Sequence, residues 1–261
     1  MRATDAPALE RVLRHDRAIV VGGLASVIVL SWIYILAGVG MNMDAGVGQV
    51  GVTGVQTAWT PAYFGVMVVM WWVMMMAMML PSAVPMVLLF AAINRKNREA
   101  QRPYVPAAVF AGGYVAAWVG FSLIATLLQW WLENLALLSP MLASNTALLG
   151  AGLLIAAGIY QVTPLKYACL RHCRTPLDFL SRRWRQSAWG AFTMGLEHGL
   201  FCLGCCWVLM GLLFYGGVMN LWWIAGLAAY VLFEKLAPAG HRIGRFGGAI
   251  LVLWGVSILI I

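Results

Sequence analysis

Residues 194–210 concentrate side chains that bind soft metals: Met194, His198, Cys202, Cys205, Cys206 and Met210, with Glu197 beside the histidine. Three of the five cysteines in the chain are here. At about 100° per residue, His198, Cys202, Cys205 and Cys206 fall within one arc of roughly 100° on a single helix, flanked by Met194 and Met210, while Glu197 points about 100° away from His198. Thiolate, thioether and imidazole together select Cu(I) over hard cations, and zinc is the alternative through Cys and His. His198 and Cys206 lie ~12 Å apart along the axis, whereas metal–ligand bonds are about 2.0–2.3 Å. The row is therefore two sites or a ladder, with Cys202 and Cys205 the closest chelating pair. Buried free cysteines also pack as small hydrophobes, which accounts for the thiols but not for an imidazole in an apolar segment, where ionisable groups are functional by default.

A second cluster, Cys169, His172 and Cys173, lies in the segment 164–188. On a helix the thiols sit one turn apart with the imidazole between them, so the three can converge on one ion. Thr175, Pro176 and Asp178 then read as the cap and first turn of a short helix, with Leu177, Leu180 and Trp184 on one face among Arg182, Arg183 and Arg185. That is the pattern of a helix lying on a membrane surface. Between Met67 and Met86 the chain carries eight of its fifteen methionines. Met67, Met70, Met74 and Met78 form one stripe and Met75, Met79 and Met86 a second, with Pro81 and Pro85 placed to kink the helix and free carbonyls. Single methionines read as flexible apolar filler, but the cluster offers thioethers to soft metal, with Met74 and Met78 the candidates. Met41 and Met43 read as ordinary residues at a helix mouth. Glu234 and Lys235 read as an ion pair at the membrane surface, with a turn of Glu234 toward His198 the alternative.

The elements that carry these residues are apolar. The chain is 62% hydrophobic and only 10% charged, against about 25% charged in soluble domains. It reads as an all-α, polytopic transmembrane bundle, one domain over 1–261, with about seven spans at 18–40, 61–92, 104–132, 142–163, 189–215, 218–236 and 243–261. The basic N-terminus before the first span resembles a signal peptide, but the run is too long for one and reads as uncleaved. Lys and Arg fall before the first span and in the segments 94–103, 164–188 and 234–245, while 41–60, 133–141 and 216–217 have none. With seven spans all the basic segments share one side, which is the cytoplasmic side; the N-terminus is then inside and Ile261 outside. The net charge of +8 is thus read as an orienting signal rather than a nucleic-acid surface. The odd cysteine count argues against a secreted disulfide framework.

Several of these motifs resemble the DUF2182 family, described as predicted metal-binding integral membrane proteins of bacteria. They are Met74-Met-Met-Ala-Met-Met-Leu-Pro81; Pro164-Leu-Lys166 with Cys169 and Cys173-Arg-Thr-Pro-Leu177; Gly195-Leu-Glu-His-Gly199 with Cys202 and Gly204-Cys-Cys-Trp207; Gly217-Val-Met-Asn220; and Glu234-Lys235. The resemblance covers most of the chain from the second span onward. It implies metal binding and a membrane location but no reaction.

The reading that follows is a protein of the bacterial cytoplasmic membrane that handles Cu(I) by transport, storage or delivery, with a metallochaperone or copper enzyme as partner. Cys169, His172 and Cys173 would hold metal on the inner side, and His198, Cys202, Cys205 and Cys206 within the bundle. The rivals are a thiol or metal oxidoreductase subunit using Cys202, Cys205 and Cys206 as redox centres, and a structural subunit of a membrane complex. Deep apolar surroundings blunt thiol reactivity, which weighs against the enzyme.

Overall fold

Side chains at the helix starts set much of the chain's punctuation. The computed structural model describes residues 6–38, 59–99, 104–139 and 142–260, so Met41 and Met43 lie outside the described residues. Among the described residues ten helices run α1 Ala6–Leu36, α2 Pro61–Glu99, α3 Ala107–Asn134, α4 Ala147–Tyr160, α5 Pro164–Arg174, α6 Pro176–Arg183, α7 Ala188–Gly211, α8 Leu213–Gly216, α9 Leu221–Leu236 and α10 Gly240–Ile260. Thr146, Thr163, Ser187 and Asn220 each accept a backbone N–H three residues on, which caps α4, α5, α7 and α9. Thr175 departs from the expected cap of α6: its hydroxyl turns back to the Arg171 carbonyl, 2.8 Å away, and Asp178 instead pairs with Arg182 at 2.7 Å. On α6 the inward residues are Phe179 and Leu180, with Trp184 packing beyond the helix end, while Leu177 faces outward.

The all-α expectation holds, and among the described residues no strand forms. Among the described residues five helices are long and apolar enough to cross a membrane, or six if α4 and α5, bent by 65° at their junction, count as one span. The seven-span expectation falls short at two places. The segment 142–163 yields only the 14 residues of α4, ~21 Å, and the segment 218–236 only the 16 residues of α9, ~24 Å, against a hydrocarbon core of about 30 Å. Hydropathy registers the apolar run but not the caps at Thr146 and Asn220 that shorten it.

α7 packs chiefly on α3 and α5, α2 on α1 and α3, and α4 on α10. Small residues permit the closest approaches: Gly158 on α4 lies against the Gly248 backbone of α10, and Gly255 against the Ala151 backbone. The basic segments meet at one end of the bundle. Arg174 donates to the carbonyls of Ala237 and Pro238, Tyr167 Oη to that of His241, and Trp184 lies 5.4 Å from Phe90 between ring centroids. At the opposite end Trp59 Nε1 donates to Glu133 Oε2 at 2.9 Å, and the Ser144 N–H to the Phe214 carbonyl at 2.8 Å.

Candidate metal centre

The site is built on the close contact of α3 with α7. A side chain at Gly195 would strike the Phe110 carbonyl, one at Gly113 the Phe192 carbonyl, and one at Gly199 would meet Ala117 and the Tyr114 backbone. Glycine at these positions lets the backbones touch and brings Tyr114 of α3 over the α7 face that carries His198, Cys202, Cys205 and Cys206. All four of those residues are buried, and the cysteines are free.

Cys202 is the centre of the cluster. Its Sγ lies 3.1 Å from Tyr114 Oη and receives a hydrogen bond of 2.9 Å from Lys235 Nζ. Its carbonyl accepts from the thiols of both Cys205 and Cys206 at 3.0 Å. Cys206 Sγ lies 3.8 Å from Met79 Sδ of α2. The remaining thiol comes from outside α7: Cys173, half-buried near the end of α5, approaches Cys202 and Cys205. α5 reaches this depth because Thr163 caps it and Pro164 occupies its first position, so the chain turns sharply after α4 and folds back along α7. Four thiols and one thioether thus gather from three helices.

His198 sits beside this group in an aromatic enclosure, with ring centroids of Phe179, Tyr114 and Phe110 at 5.5, 5.8 and 6.3 Å. It is 2% exposed, and its Nδ1 has no hydrogen-bond partner. A buried imidazole nitrogen left unpartnered is costly, and it lies one turn below Cys202 on the same face.

The expected inner cluster is divided. Only Cys173 joins the α7 thiols. Cys169 faces Gly204, where an added side chain would meet its sulfur. His172 stacks flat on Phe201, 4.2 Å between centroids, with its Nδ1 2.8 Å from the Ala168 carbonyl. Glu197 stands apart from the cysteine-bearing face of α7, paired with Arg183 at 2.5 Å and Arg185 at 2.9 Å. Glu234 does not meet His198, nor does it pair with Lys235 at a surface. It is 2% exposed and lies 2.7 Å from Lys166, itself 2% exposed, where Gly244 leaves room for the carboxylate. Met74 and Met78 are buried in α2, but the thioether that meets the cysteines is Met79, about 100° further round the helix than Met78. Met67, on the stripe of Met74 and Met78, accepts from Gln129 of α3 at 3.7 Å.

Lys235, Met79 and Tyr114 are the participants that sequence reasoning did not single out. Met79 was visible as part of the second methionine stripe. Tyr114 and Lys235 carried no such signal, because a tyrosine in an apolar span and a lysine at a helix end are both ordinary.

The donor set is soft: thiols, a thioether and an imidazole, all buried except the half-buried Cys173. Among the described residues no three His, Cys, Asp or Glu side chains stand arranged around a common point to hold an ion. The thiols of Cys205 and Cys206 donate to the Cys202 carbonyl and Cys202 Sγ accepts from Lys235, and the chemistry of the set fits Cu(I).

Neither a search of curated proteins nor one of solved structures found a match. Residues 68–258 do match a family described as PpoB2, copper chaperone. That stretch takes in every residue of the thiol cluster, and the chain belongs to this copper chaperone family.

Proposed function

We propose that this protein binds Cu(I) inside its helix bundle and passes it to a copper-requiring protein. The observation that carries this is the meeting of Cys173 with Cys202 and Cys205, next to Cys206 and Met79. Soft sulfur donors from α2, α5 and α7 converge there, in a chain of a copper chaperone family. Cys202, Cys206, Cys173 and Met79 would hold the ion, with Cys205 and His198 adjoining. Cys169 and His172, nearer the end of the bundle where the basic segments gather, would serve metal entering or leaving. Membership of a chaperone family favours delivery over storage, with a metallochaperone or copper enzyme as the partner.

The protein is proposed to lie in the bacterial cytoplasmic membrane with the basic end of the bundle inside, supported by the grouping of Arg174, Tyr167 and Trp184 with the chain around 237–241 and Phe90. The N-terminus is then cytoplasmic.

Elemental analysis of detergent-purified protein tests the reading, followed by competitive titration with Cu(I) and, separately, Zn(II). Copper bound by the parent and lost when Cys202, Cys205 and Cys206 are changed together to Ser is the expected result. Zinc bound in preference to Cu(I), or copper retained without those thiols, would sink it.

A further inference from the structure

Lys235 is 5% exposed, and its ammonium points into the sulfur cluster. It lies 2.9 Å from Cys202 Sγ, 3.2 Å from Ser82 Oγ and 3.9 Å from Met79 Sδ. Its chain neighbour Glu234 turns the other way and is engaged with Lys166. Among the described residues no carboxylate forms a salt bridge with Lys235. A buried cation without a carboxylate is expensive unless other groups solvate it, and the groups that do so here are the donors suited to Cu(I).

The ammonium and a copper ion therefore compete for the same electron pairs on Cys202 and Met79. Both carry a single positive charge, so exchanging one for the other leaves the charge beside Cys202 unchanged. The lysine has a route out. It lies in the last turn of α9, next to the exposed Leu236 and three residues before Pro238, and its long stem allows the head to swing toward the end of the bundle.

We propose that Lys235 is a resident competing cation. It occupies the cation position of the sulfur cluster in the metal-free protein, withdraws when Cu(I) enters, and returns when copper leaves. This rests on the copper reading above and adds a regulation to it: the returning ammonium stabilises the emptied site and so weakens the grip on copper, as delivery demands.

Two measurements test the proposal. In the first, the parent, Lys235→Leu and Lys235→Arg are titrated with Cu(I) against a colorimetric chelator, and release to excess chelator is timed. Leu supplies neither charge nor ligand, so Lys235→Leu should bind more tightly and release more slowly by about tenfold or more, the scale on which outer groups alter metal sites. Lys235→Arg, which keeps the cation, should stay near the parent. Binding by Lys235→Leu that equals or falls below that of a copper-binding parent overturns the competing-cation proposal alone. A parent that binds no Cu(I) overturns the copper reading together with it.

The second measurement uses only the parent. The protein is treated with a membrane-permeant amine-acylating reagent before and after Cu(I) loading, and modification at Lys235 is quantified by mass spectrometry. Copper should raise the modification of Lys235 severalfold by releasing its ammonium from the sulfur cluster. Modification that is unchanged or reduced by copper overturns the proposal, whatever the folding of the variants.

Discussion

Cys173 and Cys202 belong to helices that the sequence separates by a charged connecting segment, yet their thiols approach each other where α5 packs on α7. The two cysteine clusters share a member. On the proposed copper reading, metal held by one would be within reach of the other, and this changes what substitutions should do.

Two independent clusters would let the α7 thiols keep their metal when Cys169 and Cys173 are both replaced by Ser. The shared thiol gives a different expectation. Cys173→Ser alone should lower Cu(I) affinity by about 10–100-fold, comparable to Cys202→Ser, because both remove a ligand from one site. The double variant should lose much less than the sum of the two. His172→Ala should have little effect on equilibrium affinity, since its ring lies on Phe201. Competitive Cu(I) titration of the four variants decides the matter; additive losses from Cys173→Ser and Cys202→Ser would mean separate sites.

The methionines offer a sharper contrast. Met79 Sδ is 3.8 Å from Cys206 Sγ, whereas Met78 points about 100° away. Leu replaces Met at similar volume and usually costs under about 1.5 kcal/mol of stability. Met79→Leu should therefore fold and bind Cu(I) severalfold more weakly, and Met78→Leu should fold and bind as the parent does. Equal copper affinities for the two variants, each of normal thermal stability in detergent, would remove the thioether from the site.

The Lys166–Glu234 pair makes a prediction about stability rather than copper. Both side chains are 2% exposed, so Lys166→Met would strand a buried carboxylate. Breaking such a pair costs about 3–5 kcal/mol, while replacing both partners with apolar residues is often neutral. Thermal unfolding in detergent should show Lys166→Met strongly destabilised and Lys166→Met with Glu234→Leu largely restored. If the double variant is no more stable than the single one, the pair is not what holds α5 against α9.

Much of the α7 face was legible in advance, because the helical period alone puts His198, Cys202, Cys205 and Cys206 on one side, and Gly195 and Gly199 announce a close neighbour. What the period could not supply was the identity of that neighbour, which is α3, or of the groups delivered from elsewhere. Cys173 depends on the turn at Thr163 and Pro164, where the cap and the proline mark the start of α5 but not the direction it takes. Glu234 and Lys235 read as a surface pair because adjacent opposite charges at a helix end usually reach water. On a helix adjacent residues point about 100° apart, and here α5 and α7 offered each charge its own buried partner. The same limit applies to the methionines: the two stripes could be drawn, but not which one α7 would meet.

The sulfur cluster also has an order of assembly. Met79 is synthesised first, Cys173 follows, then Cys202 to Cys206, and the lysine that pairs with Cys202 emerges last, after the α7–α9 connection. A growing chain holds only scattered donors until α5 has folded back and α9 has been inserted. The proposed copper site is therefore a product of completed topology: a ribosome-bound fragment ending before α9 lacks Lys235, and one ending before α7 holds, of the cluster's sulfurs, only those of Met79 and Cys173. On the proposed reading, metal specificity would in this way be withheld from the nascent polypeptide and conferred only on the finished bundle.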